Sequence, residues 1–380
     1  MSSHLIPLYK NWHKAYFVKR PNRFVVELIL DGKPIRAWVP NTGRMAEFCF
    51  EGHPFYVTKV PMPKFQYKII GTEYQAELVF LDTIRVNHVV QLLIENHAIP
   101  ELSDFVALRR EATYGNSRFD FEMTHGDGNQ SLIEVKSCTL CHNGMAMFPD
   151  APTDRGRKHL AHLEQLAAEK CNVYNLFLIT TMQAQVFLTN YHVDLAYAQK
   201  MLAAKNIAFL AYKIGFDDPI TLNISKTKPV EIDLKSTKRN AVDKGSYVLV
   251  LQNDTDFSKQ IGLLGEVFFK KGYYVYVGSA MNILDARISR HYRSRKKVHW
   301  HLDYVTPKPM KIIKSYPIRS SVPLEQEIVK CISNIADGFI KSFGASDSKE
   351  RSHLLYFKDN PIHNQNFYNV IMNFRHISKL

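Results

Sequence analysis

The sequence predicts an α/β (α+β) protein with three folded regions, and three observations lead to this prediction. The chain has 380 residues, which is too long for one average domain and enough for two or three. Short strand-like runs with a strong hairpin signal at Asp31-Gly32 occupy the first 80 residues. Helix-period and strand-period segments then alternate along the remaining chain. Apolar content of 46% and charged content of 22% are typical of a globular protein with a sizeable core.

The first region, residues 1–80, is predicted to form a small β-barrel or meander. Its strands are read from FVVELILDGKPIRAWV and FYVTKV. The second region, residues 81–221, opens with a helix in VNHVVQLLIENHAI. The apolar residues that this helix places on one face are Val86, Val89, Val90, Leu93 and Ile94.

The rest of the second region is predicted to form a mixed sheet between helices. Strands are expected at about 105–113, 118–123 and 132–139, followed by a helix in RGRKHLAHLEQLAAEK. The strand VYNLFLIT, the helix DLAYAQKMLAAKN and the strand IAFLAYK complete the region. This order, α-β-β-β-α-β-α-β, is typical of an α/β sandwich.

The third region, residues 244–360, is predicted to be a second compact α/β unit. A polar segment without sustained periodicity separates it from the second region and predicts a linker at about 222–243. Strands in GSYVLVLQ and YYVYVGSA, a helix at about 282–293 and a strand in HWHLDYV follow. Residues 361–380 are expected to form a C-terminal tail.

The positive charge of the chain is concentrated in its C-terminal part. The net charge is +13, but the first 225 residues carry 23 basic against 22 acidic side chains. The remaining residues carry 26 basic against 14 acidic side chains. Such asymmetry indicates an anionic partner, with nucleic acid favoured, while a solvated basic surface without a specific partner is the alternative.

The chain is expected to be cytoplasmic and not membrane-bound. Its five cysteines are scattered and odd in number, which favours a reducing compartment over a disulfide framework. The first 20 residues lack the pattern of a signal peptide. The apolar stretch 173–182 is far shorter than the roughly 20 residues that span a bilayer.

Two acids and a lysine lie on strands that otherwise have the composition of core. Phe119 and Phe121 are predicted to share one face of a strand, which leaves Asp120 on the other. Glu134 and Lys136 share a face of the next strand, so one register brings all three charges together. Two close carboxylates need a cation between them, and Mg²⁺ or Mn²⁺ suits oxygen ligands. The lysine would orient a water, whereas an ion pair on a solvated hairpin is the alternative.

The segments around these residues resemble the sugar fermentation stimulation protein A (SfsA) family. The resemblance rests on RREATYGNSRFDFEM, IEVKSCTL, GMAMFPDAPTDRGRKHL and RFVVELILDGKPIRAWVPNTGRM, and covers about residues 10–215. It implies an N-terminal OB-like domain, a PD-(D/E)XK restriction-endonuclease-like core and DNA binding. It further implies that Asp120, Glu134 and Lys136 are catalytic, with Asp120 and Glu134 as metal ligands. Other residues in the matching signature are Asp150, Arg155, Lys158 and His159.

Several nearby residues are weaker candidates. Glu95 on the leading helix and Glu111 before Asp120 are possible further acids, although surface positions are the more common outcome. The spacing Cys138-x-x-Cys141-His142 invites a zinc or redox site, but a complete zinc site needs a fourth ligand. Buried or incidental thiols are the favoured interpretation.

The barrel region combines cations with aromatic side chains. Aromatic rings that stack on bases beside cations that hold phosphates are typical of a single-strand binding surface. The alternative, which we favour for most of the rings, is barrel core. Arg44, in the loop PNTGR, is the predicted nucleic-acid contact. The residues of this pattern are Tyr16, Phe17, Arg20, Arg23, Phe24, Arg36, Trp38 and Arg44.

The third region resembles the GIY-YIG-like nuclease domains. The resemblance rests on YVYVGSA, RISRHYRSRKKVHWHLDY and FGASDSKERSHLLYF and covers about residues 243–358. It implies that Tyr247, Tyr276 and Arg287 are catalytic, with Arg287 on the scissile phosphate. Glu325, with Glu327 as runner-up, would hold a metal ion.

A dense group of cations follows Arg287 and is predicted to track phosphates. Its members are Arg290, Arg293, Arg295, Lys296 and Lys297. Three further residues alternate along the strand predicted there, where a polar face is favoured over a metal site. They are His299, His301 and Asp303.

The leading function hypothesis is a nuclease that depends on Mg²⁺ or Mn²⁺ and acts on nucleic acid, with DNA favoured over RNA. The alternative is a non-catalytic DNA-binding regulator of sugar-utilisation genes that is built on nuclease folds. A carbohydrate enzyme is a third hypothesis, and only the historical family name supports it. The sequence does not predict the oligomeric state.

Overall fold

The computed structural model divides into two compact units. The first comprises residues 1–190 and 196–237, and the second comprises residues 191–195 and 238–380. Within the described residues, no α-helix has both the length and the apolar character needed to cross a membrane. The residues that the structure describes are 4–114, 117–169, 171–345 and 350–376.

The elements are numbered in chain order. The strands up to the middle of the chain are β1 (Leu5–Pro7), β2 (His13–Asn22), β3 (Val25–Leu30), β4 (Lys33–Trp38), β5 (Pro54–Met62), β6 (Phe65–Tyr74), β7 (Glu77–Phe80), β8 (Ala107–Tyr114), β9 (Ser117–Thr124), β10 (Gln130–Cys138), β11 (Cys141–His142) and β12 (Met145–Phe148). The later strands are β13 (Asn172–Ile179), β14 (Val186–Thr189), β15 (Ile207–Asp218), β16 (Thr221–Pro229), β17 (Glu231–Ile232), β18 (Gly245–Asn253), β19 (Phe257–Gln260), β20 (Glu266–Phe269), β21 (Gly272–Ala280), β22 (Lys311–Arg319), β23 (Gly338–Phe339) and β24 (Leu354–Phe357). The α-helices are α1 (Val86–Glu95), α2 (Asp154–Ala168), α3 (Leu195–Ala203), α4 (Leu234–Asn240), α5 (Leu284–Tyr292), α6 (Glu325–Ser333) and α7 (Gln365–Arg375).

A closed barrel forms the N-terminal part of the first unit, as the sequence predicted. Strands β4-β3-β2-β5-β6 lie side by side, and a parallel pairing of β4 with β6 closes the ring. In that pairing Ala37 lies opposite Tyr67, and Trp38 lies opposite Lys68. Inward-facing apolar side chains such as Val26, Leu28 and Val57 fill the interior, because residues alternate between the two faces of each strand.

A seven-stranded mixed sheet forms the rest of the first unit, with the order β1-β16-β15-β13-β10-β9-β8. Strands β10, β13 and β15 are parallel, and the outer strands are antiparallel. Helix α1 buries the five apolar residues predicted for its face. Helix α2 buries Leu160, Leu163 and Leu166, which were also predicted. A smaller sheet, β11-β12-β14-β17, was not predicted.

The segment predicted as a linker, residues 222–243, is regular structure instead. It contains most of β16, together with β17 and α4. Strand β16 pairs with β15 and with β1, and Leu222 and Ile224 are buried in the core. The serine, lysine and threonine residues that follow Ile224 conceal the alternation that marks a strand, so the linker prediction is wrong.

The second unit is built on the antiparallel sheet β22-β18-β21-β24-β23. Apolar residues of α5 pack on one side of this sheet, and those of α6 and α7 pack on the other. The predicted C-terminal tail therefore contains a packed helix, α7, which buries Phe367 and Ile371. Residues 377–380 of that tail lie outside the described residues.

The predicted strand in HWHLDYV is wrong, because His301–Tyr304 form a 3-10 helix. The Asp303 carboxylate accepts hydrogen bonds from the backbone N–H groups of His299 and Trp300 at 3.0 and 3.1 Å. A short acidic side chain that bonds its own backbone in this way favours a turn over a strand.

Candidate functional site

Strands β9 and β10 separate at the position of the two predicted acids. Their antiparallel pairing ends at Phe121 and Ile133. Beyond that point the Asp120 carboxylate accepts a hydrogen bond from the Val135 backbone N–H at 2.7 Å. A side-chain carboxylate thus takes the place of a ladder carbonyl where the pairing of β9 with β10 ends.

The predicted alternation around Asp120 is wrong in one respect. Phe121 packs in the core cluster that contains the α1 residues, whereas Phe119 packs with Leu163 of α2. The two phenylalanines therefore lie on opposite sides of the sheet, because β9 stops following the regular pleat where its pairing with β10 ends. The approach of Asp120 to β10 is nevertheless as predicted.

Asp120 is held from two directions. The Asn87 amide of α1 donates a hydrogen bond to Asp120 Oδ1 at 2.7 Å, and the Val135 N–H bonds Oδ2. Burial raises the pKa of Asp120, and the nearby charge of Glu134 raises it further. The buried Glu134 carboxylate is thus close enough to oppose the ionisation of the half-buried Asp120.

Glu134 is almost fully buried, with 3% of its surface exposed. Its Oε1 atom contacts Lys136 Nζ at 2.5 Å and also His159 Nδ1. Burial opposes ionisation, but the His159 hydrogen bond and the Lys136 charge outweigh it and hold the pKa of Glu134 below its usual value. The second oxygen, Oε2, is buried and has no hydrogen-bond partner in the part of the chain that the structure describes.

The structure therefore brings Asp120, Glu134 and Lys136 together as predicted and adds Asn87 and His159. The two further acids that the sequence suggested, Glu95 and Glu111, do not join this group. Glu95 is exposed and accepts a hydrogen bond from Gln91, and Glu111 is exposed and pairs with Arg118 at 3.4 Å.

The cysteine candidates are buried thiols. Cys138 and Cys141 are free and buried, and burial raises the pKa of Cys141 to about 12. His142 Nδ1 lies 2.7 Å from the Tyr74 hydroxyl. Across the described ranges, no group of three or more His, Cys, Asp or Glu side chains is arranged to hold a metal ion.

The four residues predicted to be catalytic or metal-binding in the second unit line one cavity of ≈ 360 Å³. Tyr247, Tyr276, Arg287 and Glu325 all contribute to its wall, as do Trp300 and other side chains. The rings of Tyr247 and Tyr276 are 6.3 Å apart. Sequence reasoning thus selected residues from two strands and two helices that share one cavity.

Tyr247 has a histidine partner that the sequence did not suggest. Its hydroxyl lies 2.8 Å from His291 Nε2. Burial lowers the pKa of His291 to about 4, and the neighbouring Lys296 contributes to the shift. Burial also raises the pKa of Tyr247, so both groups are neutral near pH 7.

Glu325 is held at the edge of the same cavity. It accepts a hydrogen bond from Ser279, and His353 Nδ1 lies 2.8 Å from its Oε1 atom. The runner-up Glu327 is exposed and does not line the cavity. The geometry therefore favours Glu325 over Glu327 as the functional acid.

The predicted phosphate-binding cations fall into two groups. Arg293, Arg295 and Lys297 are exposed. By contrast, Arg290 and Lys296 form ion pairs with the buried Asp303 carboxylate, and only 5% of the Lys296 side chain is exposed. Intramolecular bonds therefore occupy these two cations. The same bonds occupy the Asp303 carboxylate, so it is not available for the metal site considered with His299 and His301.

Arg44 lies in a loop that other residues fix. Its backbone N–H donates to Asp150 Oδ2 at 2.9 Å, and its side chain is exposed. A Cβ atom at Gly43 would lie 1.9 Å from the same oxygen, so this close approach requires glycine.

Arg20 donates hydrogen bonds to loop carbonyls, which gives it a structural role. Of the aromatic residues in the barrel pattern, Phe17 is core, whereas Tyr16 and Phe24 are exposed.

The fold and the first candidate site together define the class of this protein. A closed β-barrel is followed by a mixed α/β sheet, and that sheet brings an aspartate, a glutamate and a lysine together. The chain belongs to the sugar fermentation stimulation protein family. Three family models match it: the SfsA N-terminal OB domain over residues 18–81, the sugar fermentation stimulation protein RE domain over 84–219, and a domain of unknown function, DUF123, over 246–376.

Curated relatives match a little over half of the chain. A sugar fermentation stimulation protein homolog of Clostridium tetani is 34% identical over 218 residues, which are 56% of this chain and 95% of the relative. A homolog of Clostridium perfringens is 35% identical over 225 residues, or 58% and 96% of the two chains. The structure of Pyrococcus furiosus SfsA in complex with Ca²⁺ has a TM-score of 0.53 at 24% identity and covers 60% of this chain and 99% of that one. This likeness supports the fold of the first unit, while the GIY-YIG identity of the third region stays a prediction.

Proposed function

We propose that the protein is a nuclease that hydrolyses phosphodiester bonds of DNA or RNA at the Asp120–Glu134–Lys136 site, with Mg²⁺ or Mn²⁺ as its cofactor. The observation that carries the proposal is the state of Glu134. One of its oxygens is bonded by Lys136 and His159, and the other is buried and unpartnered among the described residues. A buried carboxylate oxygen without a partner is costly, and a bound cation would satisfy it.

The donor set fits a hard divalent cation. Asp120 and Glu134 are oxygen ligands, and a cation between them would offset the repulsion that raises the pKa of Asp120. When bound, such a cation activates a water molecule and neutralises charge on the phosphate. The Pyrococcus furiosus relative was solved in complex with Ca²⁺, which is also a hard divalent cation.

The side chains around the acids have separable roles in this proposal. Asn87 fixes the orientation of Asp120, and His159 fixes that of Glu134. Lys136 compensates the charge of Glu134 and stabilises the negative charge that develops on the phosphate. Since Lys136 follows Glu134 by two residues on one strand, both side chains reach the same face.

The second unit would supply a second phosphodiester-cleaving site of the GIY-YIG type. Tyr247 and Tyr276 would contact the reacting groups, Arg287 would bind the phosphate, and Glu325 would hold a metal ion. The shared cavity of ≈ 360 Å³ supports this assignment. The exposed cations that would contact nucleic acid are Arg44, Arg293, Arg295 and Lys297.

One observation favours the alternative of a DNA-binding regulator without catalysis. The Lys136 ion pair and the His159 hydrogen bond already compensate the charge of Glu134. A scaffold that has lost catalysis would keep such pairs for stability. It would bind DNA in a salt-dependent manner and would show no turnover with any divalent cation.

A cleavage panel separates the two functions. Labelled single- and double-stranded DNA and RNA are incubated with the wild type, Glu134→Gln and Glu95→Gln in Mg²⁺, Mn²⁺ or EDTA. We expect metal-dependent cleavage by the wild type and by Glu95→Gln, because Glu95 is an exposed acid of the same unit. Glu134→Gln should lose about a hundredfold or more of the rate. Equal cleavage by Glu134→Gln would refute the assignment of the activity to the Asp120–Glu134–Lys136 site, and no cleavage by the wild type would refute the nuclease proposal.

A further inference from the structure

Trp300 lies beside two arginines of helix α5. The guanidinium carbon of Arg287 is 4.1 Å from the centre of the Trp300 ring, and that of Arg290 is 4.3 Å from it. Arg287 and Trp300 both line the cavity of the second unit. A guanidinium at this distance is attracted by the electrons of the ring face. The indole therefore binds two like-charged side chains, which are three residues apart on one helix.

Asp303 fixes the position of this ring relative to α5. Its two oxygens accept hydrogen bonds from the Arg290 guanidinium, each at 3.0 Å. The same carboxylate accepts the backbone N–H of Trp300 at 3.1 Å. One buried group thus ties the main chain of Trp300 to a side chain of the helix, so that the ring stands over α5 in one place.

The two arginines differ in how their charge is compensated. Arg290 is paired with Asp303, whereas Arg287 has no carboxylate partner in the ranges that the structure describes. The contact of Arg287 with the indole is made through the charge of the guanidinium, whose N–H donors lie in the plane of the group. Because arginine binds phosphate through those donors, the cation–π contact holds the side chain and itself uses none of the donors that recognise an anion, while Arg287 also hydrogen-bonds Tyr247.

We propose that Trp300 is a positioning residue, which holds the Arg287 guanidinium ready for a phosphate group in the cavity. The proposal rests on the proposed function only in taking nucleic acid as the source of that phosphate. It does not require that the second unit cleaves its ligand. A free arginine side chain would lose rotamer entropy on binding, and the prior contact with the indole removes part of that cost.

A double-mutant cycle tests the proposal. Binding of a short fluorescein-labelled single-stranded DNA is measured by anisotropy in EDTA, where metal-dependent cleavage does not occur. The proteins are the wild type, Trp300→Met, Arg287→Ala and the double variant. We expect Trp300→Met to weaken binding about five- to tenfold, which is the range of a partly desolvated cation–π contact. In the Arg287→Ala background the same change should have no further effect.

Three results would overturn the proposal. They are unchanged binding by Trp300→Met, unchanged binding by Arg287→Ala, and losses that add in the double variant. Additive losses would mean that Trp300 contacts the nucleic acid itself. Trp300→Phe keeps a ring face, so it should restore binding to within about twofold of the wild type.

Two controls guard against a change in fold. Phe268→Met removes an exposed aromatic side chain of the same unit that does not line the cavity, and it should bind like the wild type. If Trp300→Met does not fold, Trp300→His retains a smaller flat ring, and the same cycle applies to it. Since every measurement is made without metal, failure here leaves the nuclease proposal standing, and the cleavage panel can fail without affecting this result.

Discussion

The two candidate sites of the protein handle charge in opposite ways. Where the pairing of β9 with β10 ends, a half-buried aspartate and a buried glutamate are bonded by a lysine, a histidine and an amide of the same unit. In the cavity of the second unit, a half-buried arginine is stacked on an indole and has no carboxylate partner among the described residues. The first arrangement suits a cation, and the second suits an anion. A ligand with phosphates and a divalent metal presents both charges.

Removing one charge from each site tests this difference between the two sites most directly. Asp120→Asn should reduce metal-dependent cleavage by about a hundredfold or more, because the amide keeps the shape but loses the charge. Arg287→Ala should keep most of the cleavage on the same substrate, since it belongs to the other unit. Initial rates on one labelled substrate give both values. A greater loss in Arg287→Ala than in Asp120→Asn would assign the principal activity to the second unit.

Stability should respond to charge removal in the first site much more than in the second. Lys136→Met leaves the buried Glu134 carboxylate with one cationic neighbour fewer and should lower the free energy of unfolding by about 3 kcal/mol. Arg287→Met breaks no ion pair and should cost less than about 1 kcal/mol. Urea denaturation measures both.

A second substitution serves as the control for this stability difference. Glu134→Gln in the Lys136→Met background removes the unpaired charge and should restore much of the stability. If the double variant is no more stable than Lys136→Met alone, the ion pair does not account for the loss.

The histidine of the second site should make stability depend on pH. The pKa of His291 in the folded protein is about 4, below its ordinary value of about 6.5, so the unfolded chain binds more protons between these pH values. The free energy of unfolding therefore falls as the pH drops through this window, by about 2 kcal/mol at pH 5. His291→Gln should remove that part of the dependence. Parallel curves for the wild type and the variant between pH 7 and 5, measured by urea denaturation, would contradict the neutral His291.

The salt dependence of DNA binding should distinguish the exposed cations from the buried ones, although the change expected for one side chain is small. Lys297→Ala should reduce the slope of log K against log salt by about 1 for DNA binding, as expected for one lost phosphate contact. Titrations at several salt concentrations in EDTA measure this slope. Lys296→Ala should leave the slope unchanged, because that side chain is buried against Asp303. A slope that changes equally in both variants would mean that Asp303 does not retain Lys296.

Sequence patterns predicted those parts of the fold that depend on local periodicity. The buried face of α1 and the leucines of α2 follow from a repeat of about 3.6 residues, and both were confirmed. Strand β16 was missed because lysines and hydroxyl residues cover its outward positions. The 3-10 helix at His301 was missed because the hydrogen bonds of Asp303, rather than residue propensity, determine it.

The candidate sites show the same limit. Alternation and family resemblance brought Asp120, Glu134 and Lys136 to one place, but not Asn87, which comes from another element. His159 lay in a recognised signature without an assigned contact, and only the packing of α2 on the sheet brings it to Glu134. Likewise, Trp300 and Arg287 are separated in the sequence, and only the fold brings the indole to the guanidinium. Contacts between distant elements depend on register and packing, which one sequence does not specify.

If Asp120 and Glu134 form a divalent cation site, calorimetric titration of Mn²⁺ into the protein without nucleic acid tests that site most directly. We expect a binding event in the wild type that is lost in Glu134→Gln and retained in Glu325→Gln. The same Mn²⁺ isotherm for Glu134→Gln and the wild type would contradict the account.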